Sequence, residues 1–339
     1  MATNDLWVHP IVVAPMGGGP TTPALVGAAA NAGALGFLAG GYVSPAALAE
    51  QIAAVQALTT RGFGVNLFVP GTPAPPEVVD RYVRSLEPEA EALGATVAPA
   101  AWDDDAWDAK LEVLLDTAPA AVSFTFRAPP PAIARELQQR GTTVIATVTS
   151  PDEARECAAA GVEMLCCQGI EAGAHRGCFD GSADPNSGLT TLALIDAVHQ
   201  VTELPIIAAG GLGRPSDVAA ALRAGAVAVQ AGTAFLRSHE SGAHAVYKAA
   251  LTDARFDATG FTRSFSGRPA RGLVNRFMRD HPDAPTAYPE INNATRPLRA
   301  AAAQRSDPNA MSLWAGTGYR HTREASAGEI VEWLASEIG

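Results

Sequence analysis

Short apolar runs recur along the chain, each closed by a turn signal and followed by a segment with helical patterning. They are Ile11 to Ala14, Leu35 to Leu38, Phe63 to Leu67, Ala121 to Thr125, Thr143 to Thr147, Glu163 to Cys167, Pro205 to Ala208 and Ala226 to Gln230. PIVVA, PIIAA and AVAVQ are apolar at consecutive positions, which suits strands covered on both faces in a parallel sheet. Eight such runs alternating with helices predict a (β/α)8 TIM barrel over an open doubly wound sheet.

The helix starts keep the same rhythm. Thr22-Pro23, Ser44-Pro45 and Ser150-Pro151 each place a capping hydroxyl before a proline at the first helical position, and Glu153 would complete a capping box with Ser150. These helix N-termini are expected at the C-terminal face of the barrel, where this fold carries its active site.

Two segments break the alternation. The segment between the third and fourth runs, with VPGTPAPP and the acidic WDDDAW, predicts an extra helix and a mobile loop. Residues 239–304 fit no strand-helix repeat and are read as a small helical domain inserted after the eighth strand. Ser326 and Glu329 then form a capping box, and Ile330, Trp333, Leu334 and Ile338 follow at helical spacing, as for a last barrel helix. The expected domains are therefore 1–238 with 305–339 for the barrel and 239–304 for the insertion.

Charge narrows the partners. Lys and Arg number 24 against 35 Asp and Glu, a net charge of −11, the wrong sign for attracting a phosphate backbone, so nucleic acid is not an expected partner. The start MATNDLWVHPIVVAPM has neither a basic n-region nor a long apolar h-region, and no later stretch reads as a membrane span. A cytoplasmic protein is expected, with the question of a homo-oligomer left open. The four cysteines show no paired zinc-knuckle spacing, and His239 and His244 miss the i, i+4 face of a zinc pair, so no metal is predicted.

The chemistry concentrates in loops after the strands. AAGGLGRP follows the seventh run and QAGTAF the eighth, and glycines there let backbone N–H groups approach a phosphate closely, helped by the next helix N-terminus. The loops after strands seven and eight are the usual phosphate site of this barrel. There is no Walker A lysine and no G-x-G-x-x-G spacing, so a mononucleotide such as FMN fits better than ATP or NAD. Met16 in PMGGG, Asn66 and Gln168 begin three other loops on the same rim, and the two carboxamides both donate and accept. His175 also sits on this rim among small neighbours. An imidazole there can take a proton from an acidic C–H or, when charged, attract an anion.

Together PIVVAPMGGGPTTPALVGAAANAGALG, FGVNLF, QGIEAGAHRG, PIIAAGGLG, VQAGTAF, FSGRPARGLVNRF and SLWAGTG resemble the class I nitronate monooxygenases, formerly called 2-nitropropane dioxygenases, from about Ile11 to Gly318. The resemblance implies an FMN-containing TIM barrel that oxidises nitronates, such as propionate 3-nitronate, with O2 to a carbonyl compound and nitrite or nitrate. It implies flavin contacts at Asn66, Gln168, Gly173, Gly211, Gln230, Ala231, Gly232 and Thr233, and a catalytic role for His175. The family commonly has Glu-Ala-Gly-Gly-His where Ala174 here replaces the second glycine. If that position needs φ > 0, alanine strains the loop that presents the histidine.

Other residues carry two readings each. Glu171 is a second acid or a holder of the loop through backbone amides, the latter being favoured. Arg268, Arg271 and Arg276 guide an anionic substrate or brace the fold, again with the structural role favoured. Trp314 and Tyr319 close over the flavin or pack. Two rivals to the monooxygenase stand beside it. One is an FMN-dependent NAD(P)H reductase of the enoyl-acyl carrier protein or quinone reductase type, and the other a phosphate-ligand binding barrel without redox chemistry.

Overall fold

The computed structural model describes residues 6–338; the first five residues of the N-terminal stretch read above lie outside them. Eight parallel strands close into a barrel: β1 (Ile11–Val13), β2 (Leu35–Ala39), β3 (Gly64–Phe68), β4 (Ala121–Thr125), β5 (Thr143–Val148), β6 (Met164–Gln168), β8 (Ile206–Ala209) and β9 (Ala228–Ala231). The strand missing from that series, β7 (Ala174–His175), joins a separate three-stranded sheet with β10 (Thr259–Thr262) and β11 (Ala270–Leu273). Each predicted run overlaps one barrel strand, and the fold is a (β/α)8 TIM barrel.

Strand alternation divides the apolar residues between two sides of the barrel wall. Val12, Leu35, Phe37, Ile145, Met164, Cys166 and Ile207 cluster in the lumen. Ile11, Val13, Val65, Val144, Leu165, Cys167 and Val229 face outward into the packing beneath the helices. Cys166 and Cys167 thus point to opposite faces, as adjacent strand residues must. Near the C-terminal ends of the strands polar side chains join the wall. Asn66 Nδ2 donates to Ser123 Oγ at 2.9 Å and to Thr125 Oγ1 at 3.0 Å.

The expected caps form. Thr22, Ser44 and Ser150 each accept from the backbone N–H three residues on, and helix Ala327–Ala335 starts with the Ser326–Glu329 capping box. The box predicted at Ser150 is only half present. Glu153 instead accepts from Thr149 N at 2.5 Å and from Phe179 N at 2.8 Å, so its carboxylate ties this helix to the loop that follows β7.

A second apolar core lies above the barrel. It draws Val79, Tyr82, Leu86 and Leu93 from two helices of the long insert, Pro76–Ser85 and Glu87–Leu93, together with Phe265, Phe277, Ile291, Leu298 and Leu313. The division at 238/239 and 304/305 is thus a proposal about chain segments; side chains on both sides of it share one core. Residues 239–304 hold helices Ala245–Ala250, Arg276–Asp280 and Glu290–Gln304, and also the β10–β11 hairpin that helical patterning did not predict. The acidic turn of the insert is tied down: Tyr42 N donates to Asp105 Oδ1 at 3.1 Å, and Lys110 Nζ pairs with the same oxygen at 2.7 Å. Among the described residues no helix is long and apolar enough to cross a membrane.

Candidate active site

A cavity of about 650 Å³ opens at the C-terminal ends of the barrel strands. Met16, Asn66, Gln168, Gly173, His175 and Gly211 line it, and so do Gln230, Ala231, Gly232 and Thr233, so all ten residues singled out from the sequence meet in one space. The topology explains this: each lies in the C-terminal half of a barrel strand or in the loop after one, on the face where the loops converge.

The loops after β8 and β9 present backbone, not charge. Gly210 and Gly211 have φ of +117° and +71°, conformations in which successive N–H groups turn toward one side. The amides of Gly211, Leu212, Gly232 and Thr233 donate to no acceptor among the described residues. The helix that follows, Pro215–Arg223, is not free to receive an anion at its first turn. Asp217 Oδ2 already accepts from Gly213 N at 3.2 Å and from Arg214 N at 3.0 Å. The expected contribution of that helix N-terminus is therefore taken by its own capping carboxylate, and the loop amides are what remain for a ligand.

His175 reaches the cavity on β7, where it pairs with Ala270 of β11, so the residue is held between the barrel rim and the upper sheet. Gln168 secures the same loop with both ends of its carboxamide: Nε2 donates to His175 O at 3.0 Å and Oε1 accepts from Gly177 N at 2.8 Å. Gly173 lets the loop press against the SLWAGTG segment, since a Cβ there would lie 2.4 Å from Gly316 N. Ala174 has φ +61°, the left-handed region its replacement of glycine put in question, so this alanine carries backbone strain beside the histidine.

The imidazole's protonation follows from its partners. His175 Nε2 lies 2.9 Å from Ser266 Oγ, and that hydroxyl donates to Arg268 O at 3.1 Å. With its one proton spent, Ser266 accepts from Nε2–H, which leaves the lone pair on Nδ1. Phe68, Phe126, Tyr288 and Trp314 surround the ring, with centroids 5.5–6.4 Å away. Burial, then the positive charges of Arg268 and Arg299, push its pKa down to about 3. That direction favours a neutral imidazole, with the guanidinium groups carrying the positive charge around it.

The two-sided readings resolve. Glu171 Oε2 accepts from Thr191 N at 3.0 Å and from Thr191 Oγ1 at 3.1 Å, and so holds the loop. Arg276 pairs with Glu89 at 2.6 Å, Arg271 Nε donates to Ile170 O at 3.1 Å, and Arg268 donates to Cys178 O while its guanidinium stacks 3.8 Å above the Phe126 ring. All three brace the fold. Trp314 lines the cavity, whereas Tyr319 is buried with its hydroxyl on Phe256 O at 3.0 Å.

Sequence reasoning missed Tyr42, Tyr288, Arg296 and Arg299. Tyr288 Oη donates to Tyr42 Oη at 2.8 Å beside His175. Burial pushes Tyr42 up to about 12 and Tyr288 well above its ordinary value, so both phenols are neutral. The arginines stand on the cavity face of helix Glu290–Gln304 with Asn292 and Ala303, at spacings that a helical reading of that segment would have placed on one stripe.

The profile of the nitronate monooxygenase family matches residues 2–337. The chain belongs to the nitronate monooxygenase family. It is 39% identical over 342 residues to a nitronate monooxygenase of Pseudomonas aeruginosa, covering 97% of this chain and 96% of that one. A solved structure of nitroalkane oxidase from Streptomyces ansochromogenes superposes with a TM-score of 0.97 at 45% identity, over 100% of this chain and 98% of that one. A FabK structure from Thermotoga maritima is similar with a TM-score of 0.72 at 27% identity, covering 98% and 94% of the two chains. As a nitronate monooxygenase family member this chain is an oxidoreductase.

Proposed function

We propose that the chain is an FMN-dependent monooxygenase that converts alkyl nitronates and O2 to a carbonyl compound and nitrite or nitrate. The observation that carries this reading is the meeting, in one cavity, of a fixed neutral histidine and a set of uncommitted backbone amides. The cavity volume lies in the range of cofactor and small-molecule sites. The open amides of Gly211, Leu212, Gly232 and Thr233 suit a phosphate, and a Cβ at Gly173 would crowd the narrow space where the loop meets Gly316. These residues fit FMN.

In this reading the two loops hold the phosphate, Met16, Asn66, Gln230 and Ala231 border the rest of the cofactor, and Gln168 keeps the histidine loop in register. Bound FMN would supply the electron transfer that an imidazole cannot. His175 Nδ1 accepts the α-proton of a neutral nitroalkane, which yields the nitronate in the site, and Arg299 and Arg268 supply the positive field for the nitronate anion. The aromatic shell of Phe68, Phe126, Tyr288 and Trp314 excludes water, which strengthens each of those interactions.

The test is O2 uptake and nitrite release by FMN-loaded protein given ethyl nitronate, against NADH and NADPH oxidation by the same preparation. Turnover of the nitronate without a nicotinamide is the expected result. Fast oxidation of NADH or NADPH with no response to nitronate would make the reductase the correct reading, and protein that retains no FMN would favour the binding barrel.

A further inference from the structure

Tyr42 holds a backbone conformation that a side chain disfavours. It follows Gly40 and Gly41 in the loop after β2, and its φ is +67°, in the left-handed region. The loop is locked there from both sides. Tyr42 N donates to Asp105 Oδ1 at 3.1 Å, Asp105 pairs with the buried Lys110 at 2.7 Å, and Arg296 Nη2 donates to Tyr42 O at 3.3 Å. A third glycine would be free of the strain, so what the strain secures is the placement of a phenol.

That phenol has an open donor. Tyr288 Oη donates to Tyr42 Oη at 2.8 Å, and the O–H of Tyr42 itself meets no acceptor among the described residues. Tyr42 lines the large cavity, whereas Tyr288 lines a smaller neighbour of about 260 Å³. The bond from Tyr288 thus reaches Tyr42 from the side of the smaller cavity and leaves the other side for a ligand. A hydroxyl that accepts one bond donates a stronger one, and burial keeps this one protonated.

The donor stands in the same aromatic group as His175. The Phe68 ring centroid is 5.6 Å from that of Tyr42 and 6.4 Å from that of His175, and the Tyr288 centroid is 6.5 Å and 5.5 Å from the same two. When a carbon next to a nitro group loses its proton, the charge comes to rest on the nitro oxygens. A fixed neutral donor acts best where charge develops. We propose that Tyr42 is a catalytic residue whose hydroxyl donates a hydrogen bond to a nitro oxygen of the substrate while His175 Nδ1 takes the α-proton. The C–H bond breaks and its proton goes to Nδ1; its electron pair forms the C=N bond, and the N=O pair moves to the oxygen that Tyr42 holds. This inference rests on the nitronate reading of the site, and the experiment separates the two.

FMN-loaded wild type, Tyr42→Phe and Tyr288→Phe are assayed with ethyl nitronate and with nitroethane, unlabelled and deuterated at the α-carbon. Tyr42→Phe keeps the ring and loses only the hydroxyl. Its kcat/KM for nitroethane should fall about 100-fold, the scale of one lost oxyanion donor, with a deuterium isotope effect at least as large as that of wild type. Its KM for ethyl nitronate should rise about tenfold, at an unchanged flavin-to-protein ratio. Tyr288→Phe, which keeps the Tyr42 hydroxyl, should lose less than about tenfold on nitroethane. Tyr42→Phe within twofold of wild type on both substrates, equal losses in the two variants, or a loss that tracks missing flavin would overturn the role of Tyr42 while the nitronate reading stands. Wild type that oxidises ethyl nitronate but not nitroethane also overturns that role, and wild type that oxidises neither overturns both.

Discussion

The two halves of the cavity wall are built from different materials. The half contributed by the barrel loops is backbone and carboxamide: the glycine turns after β8 and β9, Asn66 and Gln168, without a single formal charge. The other half is side chain: Tyr42 from the loop after β2 and His175 from the loop after β6, held by Tyr288 and Ser266 of the upper layer, with Arg296, Arg299 and Trp314 from that layer. A backbone surface is set by the path of the chain and suits an invariant ligand such as a cofactor, whereas side chains can be exchanged without refolding the barrel. On the proposed function, the difference makes cofactor binding and substrate choice structurally separable.

Substitutions can break that separation or sharpen it. The largest effect is expected at His175. His175→Ala should lower kcat/KM for a neutral nitroalkane, whose α-proton must be removed, by about 10²- to 10⁴-fold, the usual contribution of a positioned proton acceptor, while the flavin-to-protein ratio after gel filtration stays near that of wild type. Joint loss of flavin and activity would show that the halves are not separable.

Asp105→Ala should be the next largest effect, now on stability. Lys110 is 1% exposed and its charge is paired with Asp105 at 2.7 Å, so removing the carboxylate leaves a buried ammonium and costs about 3 kcal/mol in urea unfolding. Tyr42 N also loses its acceptor, so the cavity rim should loosen with it. Gly173→Ala comes third, at about 2 kcal/mol of overpacking against Gly316. Because the contact joins the two halves, this variant should also weaken FMN retention, which Asp105→Ala should leave largely intact.

Acid should act through His175. Its folded-state value of about 3 lies below the ordinary 6.5, so in that window the unfolded chain binds the extra proton. Stability therefore rises with pH from about 3 to 6.5 and is lost as pH falls through that range. The urea midpoint of His175→Phe should fall less steeply on acidification than that of wild type. The smallest effect is expected at Ala174→Gly, which relieves the φ of +61°. It should stabilise by about 1 kcal/mol or less, since glycine also loses more entropy on folding.

The barrel half was legible in the sequence because its signals are local. Apolar runs on both faces, Ser/Thr-Pro caps and glycine pairs each dictate nearby backbone, and the closed topology then brings their loop ends together, with nine of the ten named residues, all but His175, on this half. The other half depends on distant partners. A two-residue strand at Ala174–His175 has no pattern of its own and exists because β11 pairs with it. Arg299 looked like any surface residue of an amphipathic helix, while the conspicuous arginines of FSGRPARG and Arg276 were spent on carbonyls, a ring and a carboxylate. Local chemistry also redirected two capping residues: Glu153 left its expected box for Thr149 and Phe179, and Asp217 occupied a helix start that had been assigned to phosphate.

The central claim is that a backbone-built cofactor half works with a histidine that the upper layer holds in place through β11 and Ser266. Its most direct test is anaerobic stopped-flow of the FMN-loaded wild type and His175→Ala, mixed with neutral nitroethane and monitored by flavin absorbance. The account predicts rapid reduction of the flavin in the wild type and a rate at least a hundredfold lower in the variant, from the same starting spectrum. Equal rates in the two proteins would contradict it.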